Sequence, residues 1–372
     1  DNIISNPIGD ALERQKKYAQ SLGYIDMIVF SPRKHNLEEK HYKELSIYPT
    51  KSLSLLTFIY DVIKIAKIII KSKKIDVITT QDPFGTALAG FLLKKIYNIP
   101  LHIQNHSSFL NNKTWISEKP LMFSFFNKLA YFLLPNADRL RVVNTEEKKK
   151  YINILKIDPE KIDVAPVPID IEFWKKKPLK HEVDKFCKKF NIDQEKIVVF
   201  WAGRPAKVKN LPYLFKSISL LKKKKVVQFC IAGDMKNSFW DLDELNNEFN
   251  INPIFLGLLS HQELKIMYYL TDIYLHTSDY EGFGLVVSDA QASGKIVISR
   301  DTAGTRDIID NHKSGYLIEG DEYEFSEKII YLLNNKEEFR RMLDYTSDVI
   351  EKKFNYNDMF INIINSIKKT GN

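Results

Sequence analysis

Hydrophobic positions along this chain gather in two rhythms. Short apolar runs closed by Gly, Pro, Asn or Asp read as buried strands at residues 24–30, 75–80, 101–105, 137–144, 196–202, 228–232, 254–256, 274–277 and 296–300. Between them apolar residues recur at helical spacing, over residues 9–22, 53–71 and 86–97, from Thr145 onward, and over 285–292, 325–333, 337–349 and 355–369. This alternation predicts an α/β protein with parallel sheets, whose ligands sit at the carboxyl ends of the strands. Residues 113–134 interleave Trp115, Phe123, Phe125, Phe126, Tyr131 and Phe132 with Lys113, Lys119 and Lys128. That pattern reads first as a helix packed on its sheet, and second as a segment that dips into a membrane interface.

Pro166, Pro168 and the run 169–178 form a linker, which divides the chain into residues 1–170, residues 171–354 and a last helix in 355–372. The opening DNIISNPIGD reads as a loop entering a helix, so the strand that usually begins a doubly wound domain is expected upstream, within roughly ten further residues. Residues 301–307 read as a loop.

The totals narrow the class. A length of 372 residues, 44% hydrophobic and 27% charged, suits a globular enzyme of two domains. The two cysteines, Cys187 and Cys230, supply no disulfide framework and no ligand cluster, so a reducing cytoplasmic compartment and no structural metal are expected. The longest apolar stretch, 53–70, is broken by Asp61, Lys64 and Lys67, which argues against a transmembrane helix. Of the net charge of +8, residues 1–175 carry +7, with 26 basic against 19 acidic residues. This asymmetry turns the first half towards an anionic partner: a membrane surface, a lipid pyrophosphate or an acidic saccharide. A Lys-rich composition without function is the other reading, and no nucleic acid partner is expected.

Candidate chemistry concentrates in residues 278–305, SDYEGFGLVVSDAQASGKIVISRDTAGT. Gly282 and Gly284 after Glu281 let backbone approach a ligand closely. A helix starting near Gly284 aims free N–H groups at the turn, as phosphate binding requires. Asp289, further along that helix, is a carboxylate that can accept hydrogen bonds from sugar hydroxyls. Arg204 and Lys209, five positions apart after Gly203, can converge on one diphosphate. Asp82 and His106 stand at strand ends in the first half. Asp241 and Asp243 form an Asp-x-Asp pair at what reads as a helix start, where acids are favoured without a metal.

At these residues the chain resembles the retaining glycosyltransferases of family 4. Their signature, a Glu and a second Glu eight positions on, with Gly-Phe-Gly after the first, is matched by Glu281, Gly282, Phe283 and Gly284 and by Ala290, Ala292 and Gly294. The second acid departs from it, being Asp289. The resemblance implies a GT-B fold: two Rossmann-like doubly wound domains facing each other across a cleft, with the C-terminal helix crossing back to the first domain. It implies transfer of a hexose-type sugar, with retention, from a UDP- or GDP-sugar to a saccharide or lipid-linked acceptor in cell-envelope glycan synthesis. No cofactor or metal is implied, the nucleotide-sugar being a co-substrate. Arg204 and Lys209 would meet the leaving diphosphate, with Gly203 in their loop, and Glu281 would hold the transferred sugar. His106 would position sugar and acceptor, Asp289 would take the ribose, and Phe283, Gly284 and Leu285 would offer backbone N–H groups. Gly257 and Leu258 would read the base, while Gly9, Asp10 and Asp82 would face the acceptor. The protein would be cytoplasmic, touching the inner face of an anionic membrane through its basic half. A GT-B phosphorylase, a sugar-nucleotide epimerase and a silent saccharide- or lipid-binding partner are the alternatives.

Overall fold

The computed structural model describes residues 10–221 and 227–371, without the side chains of Asp10, Leu55, Leu56, Ser347 and Asp348. Gly9 therefore lies outside the described residues.

The first half opens with α1 (Asp10–Leu22), β1 (Ile25–Val29), β2 (Lys40–His41), β3 (Leu45–Pro49) and α2 (Leu55–Ser72). It continues with β4 (Ile78–Thr80), α3 (Gly85–Tyr97), β5 (Leu101–Asn105), α4 (Lys113–Glu118), α5 (Pro120–Leu133), β6 (Arg139–Val142), α6 (Thr145–Leu155) and β7 (Ile162–Val164). Strand β1 pairs in parallel with β3, which takes β2 antiparallel on its other side, and β4-β5-β6-β7 form a second, parallel sheet.

After α7 (Ile171–Lys175) and α8 (Lys180–Phe190) come β8 (Ile197–Ala202), α9 (Leu211–Ser219), β9 (Val227–Ala232), α10 (Leu242–Phe249), β10 (Ile254–Gly257), α11 (His261–Leu270) and β11 (Ile273–His276). Then follow α12 (Leu285–Ala292), β12 (Ile296–Arg300), α13 (Ala303–Ile308), β13 (Gly315–Ile318), α14 (Glu322–Asn334), α15 (Lys336–Lys353) and α16 (Tyr356–Gly371). Their sheet is parallel, in the order β10-β9-β8-β11-β12-β13. Counted from β8, that is the 3-2-1-4-5-6 order of a doubly wound domain, with its reversal between β8 and β11.

Side-chain alternation builds a core on each face of this sheet. Val198, Phe200 and Ala202 point into one, Val199 and Trp201 into the other. Helix α16 ties the halves together. Phe354 and Met359, around its start, belong to a core of the second half, whereas Ile363 and Ile367 pack with Tyr18 and Ala165 of the first. His102 Nε2 of β5 lies 3.0 Å from Ser366 Oγ of α16.

Three predicted stretches differ from the structure. Residues 113–134 are two helices, because Lys119 precedes Pro120 and takes φ −145° and ψ 77°, outside the helical region. The linker holds α7, capped by the Asp170 carboxylate, which accepts from Phe173 N–H. The loop 301–307 contains α13, started by Thr302 and Thr305 hydrogen-bonding each other. Short helices of this kind carry too few apolar positions to show a period.

Candidate active site

The crevice outside β8 and β11, where the strand order reverses, is where a doubly wound sheet admits a ligand. Three glycines clear its floor. Gly203 N–H donates to Ala232 O at 3.0 Å and Gly233 N–H to Gly257 O at 2.9 Å. A Cβ on Gly233 would stand 2.1 Å from Gly203 O, so only backbone fits there.

The loops leaving β8 and β11 are stitched together. Thr277 Oγ1 donates to Lys209 O at 2.8 Å, Asp279 N–H to Val208 O at 2.9 Å and Asn210 Nδ2 to Asp279 Oδ1 at 2.9 Å. Arg300 pairs with the same Asp279 carboxylate and lies 4.9 Å from the Tyr213 ring centre. The stitching brings Lys209 Nζ to 2.6 Å from Glu281 Oε2. Behind Glu281 stands His276, with Nε2 3.3 Å from Oε2 and Nδ1 3.0 Å from Ser299 Oγ. Burial opposes the charge on Glu281, yet the His276 hydrogen bond and the Lys209 cation outweigh it and hold the carboxyl well below its ordinary range. Glu281 is an ionised acceptor.

From the first half, β5 delivers His106. Its Nε2 lies 3.0 Å from Gln81 Oε1, which can only accept, so the ring N–H sits there and Nδ1 keeps its lone pair. Burial, with the Arg141 and Arg14 cations adding, lowers its pKa to about 3 and leaves the ring neutral near pH 7. The His106 backbone touches the Glu281 loop: a Cβ on Gly282 would lie 2.2 Å from His106 O. Gly304 closes the other side, since its Cβ would lie 2.7 Å from Gly282 O. Asn144 spans the halves, its Oδ1 accepting Glu147 N–H at 2.8 Å as the cap of α6 while its Nδ2 donates to Gly282 O at 2.6 Å. Next to it, Asp307 accepts from Thr145 N–H at 2.7 Å and from Thr145 Oγ1 at 2.6 Å. Tyr280 packs against the first half's core, with its hydroxyl on Glu118 Oε1 at 2.9 Å.

The structure places the predicted site residues differently. Lys209, Glu281, Gly282 and His106 meet through these contacts. Arg204 shares the loop of Gly203 and Lys209 and is exposed. Gly284, at φ 88°, starts α12, and Asp289 stands half-buried in that helix. The Phe283 side chain is buried, its ring 5.9 Å from Phe354, so only its backbone faces the turn. Leu285 and Leu258 are exposed, and Gly257 takes φ +67°. Asp82 is occupied elsewhere: its carboxylate accepts from Phe84 N–H at 2.8 Å, Thr86 N–H at 3.3 Å and Thr86 Oγ1 at 2.7 Å, at the entry to α3. Asp10 opens α1. Asp241 accepts from Asp243 N–H and Glu244 N–H, both at 3.0 Å, as the cap of α10.

His276, Asn144, Gly304 and Arg300 were not foreseen. His276 had a signal, being five positions before Glu281 at a strand end. The contacts of the others cross from one loop to another and leave no local pattern.

Fold and site define a GT-B glycosyltransferase. The profile of Glycosyltransferase Family 4 matches residues 15–173, and that of Glycosyl transferases group 1 matches residues 182–348. The chain belongs to this glycosyltransferase family. A D-inositol 3-phosphate glycosyltransferase of Corynebacterium kroppenstedtii is 29% identical over 198 residues, 50% of this chain and 44% of that protein. The chain thus matches less than half the length of that relative. A UDP-Gal:alpha-D-GlcNAc-diphosphoundecaprenol alpha-1,3-galactosyltransferase of Escherichia coli is 23% identical over 272 residues, 72% of this chain and 68% of that one. Among solved structures, sucrose-phosphate synthase from Thermosynechococcus elongatus superimposes with a TM-score of 0.80 at 16% identity, covering 97% of this chain and 93% of that one.

Proposed function

We propose that this protein transfers a hexose-type sugar, with retention, from a UDP- or GDP-sugar to a hydroxyl of a saccharide or lipid-linked saccharide, in the cytoplasmic stage of cell-envelope glycan synthesis. The Lys209–Glu281–His276 cluster at the sheet's reversal point carries this reading. A fully ionised Glu281 accepts hydrogen bonds from the hydroxyls of the transferred sugar. Arg204 and Lys209 meet the charge that grows on the diphosphate as the anomeric C–O bond breaks, where fixed charges lower the barrier most. The acceptor oxygen bonds to the same face, and its proton passes to the departing phosphate oxygen. Neutral His106 helps position the transferred sugar, one of whose hydroxyls donates to its Nδ1 lone pair. Asp289 takes the ribose, and the backbone at Gly257 and Leu258 faces the base. With two side-chain cations on the diphosphate, the reaction needs no divalent ion. The Escherichia coli relative is named for a UDP-Gal donor and a diphosphoundecaprenol-linked acceptor, which supports both the donor and the acceptor class.

The test incubates wild type and Glu281→Ala with UDP-, GDP- and ADP-sugars in EDTA, reading nucleotide release and thermal shift. Stabilisation by one nucleotide is expected, with slow sugar release that falls by roughly 100-fold in the variant. If no nucleotide-sugar binds at millimolar concentration, the transferase reading fails and a silent binding partner takes its place.

A further inference from the structure

Helices α2, α3 and α5 lie side by side on the first half, and α2 and α5 present the same outward stripe. On α5 it is Leu121, Phe125, Lys128 and Phe132; on α2 it is Tyr60, Lys64, Lys67 and Lys71. Both follow the spacing i, i+4, i+7, i+11, which keeps four residues on one side of a helix. The apolar members are bare: Leu121 is 92% exposed, Tyr60 70%, Phe125 60% and Phe132 52%. Ile68 of α2 and Ile96 of α3 add 64% and 59%. The inward face of α5, with Phe123, Phe126, Ala130 and Leu133, already fills the core; of the outward residues Phe132 meets the edge of Phe91 at 5.1 Å and Phe125 lies 6.2 Å from Phe126, and both still leave more than half their surface to solvent.

The charges single out the occupant. The three helices contain six lysines and one acid, Asp61; Lys94 is paired with Asp138 at 2.7 Å, which leaves Lys64, Lys67, Lys71, Lys95 and Lys128 to the face. Apolar side chains ringed by lysines, on a face almost without carboxylates, complement a bilayer surface bearing anionic headgroups. A second copy of the chain, docked face to face, would set lysine against lysine. The face also reaches the site: beneath it Trp115 stacks on Phe123 at 4.3 Å, and Glu118 holds Tyr280, the neighbour of Glu281. Among the described residues no helix is long and apolar enough to cross a membrane, so the contact would be peripheral.

We propose that the outward face of α2, α3 and α5 seats the protein on an anionic lipid bilayer, with Leu121, Phe125 and Phe132 entering the headgroup layer and the lysines meeting lipid phosphates. The proposal concerns this surface and does not depend on the transfer chemistry.

The experiment sediments the full chain with vesicles of phosphatidylcholine alone or mixed with phosphatidylglycerol, and measures its size without vesicles by light scattering. Wild type is expected to pellet with the anionic vesicles and to be released by added salt. Leu121→Glu/Phe125→Glu and, separately, Lys64→Glu/Lys128→Glu should each bind about tenfold or more weakly while melting at the wild-type temperature, since all four side chains face solvent. Failure of wild type to bind anionic vesicles overturns the proposal. So does wild-type binding by both variants, or a wild-type dimer that Leu121→Glu/Phe125→Glu dissociates, which would assign the face to a second copy.

Discussion

His106 shows how burial sets chemistry at single residues. Its folded pKa of about 3 lies below the ordinary value of 6.5, so between those values the unfolded chain binds a proton that the folded protein refuses. Its contribution to stability is therefore complete above pH 6.5 and declines as the pH falls towards 3. His102, buried within β5, is also lowered to about 3 and adds to the slope. The thermal midpoint should drop from pH 7 to pH 5, and His106→Gln should flatten that drop. Equal slopes for variant and wild type would show that His106 titrates normally. Neutrality also makes His106 a hydrogen-bond acceptor near pH 7, not an acid. The sequence marks His106 by its place at a strand end, but its protonation follows first from burial and then from the Arg141 and Arg14 cations, remote in the chain and near in the fold.

At the scale of elements, the site depends on three segments meeting through backbone: the turn after β5, the turn before α12 and the start of α13. Gly282 lies among them, and the clash of a Cβ with His106 O and Ser107 Cα, at 2.2 and 2.6 Å, cannot be relieved by a side-chain rotation. Gly282→Ala should force the two halves apart, lowering kcat/KM by about 100-fold, the cost of displacing reacting groups by an ångström or so, and lowering the melting temperature. Steady-state kinetics and a thermal melt read both, and unchanged kinetics would refute the close approach. The glycines around Glu281 were legible in the sequence as a ligand-facing turn. Gly282 turns out to be needed against the partner half's backbone as well, which a one-dimensional reading cannot see.

For the whole molecule, the cleft is spanned near the site by Asn144 on Gly282 O and by Thr145 on Asp307, as well as by α16. Asp307→Ala removes both bonds to Thr145. At roughly 0.5–1.5 kcal/mol each, their loss should raise KM about 5- to 150-fold while changing kcat little. Small-angle scattering should show a larger radius of gyration than for wild type. An unchanged radius with unchanged KM would mean that these bonds do not hold the halves together.

What the sequence determined by itself is whatever repeats locally: the alternation of strand and helix, the glycine turns that let backbone come close, and the loops carrying Arg204, Lys209 and Glu281. Each follows from neighbours within a few positions, where propensity and periodicity act. Only the tertiary structure decided that Lys209 meets Glu281, that Thr277 holds the backbone of the Lys209 loop, and that Arg300 pairs with Asp279. Those outcomes depend on the strand order β10-β9-β8-β11-β12-β13, which places the ends of β8 and β11 side by side although about seventy residues separate them. Hydrogen bonds and charges act over a few ångströms of space whatever the distance along the chain, and only the folded sheet converts one into the other.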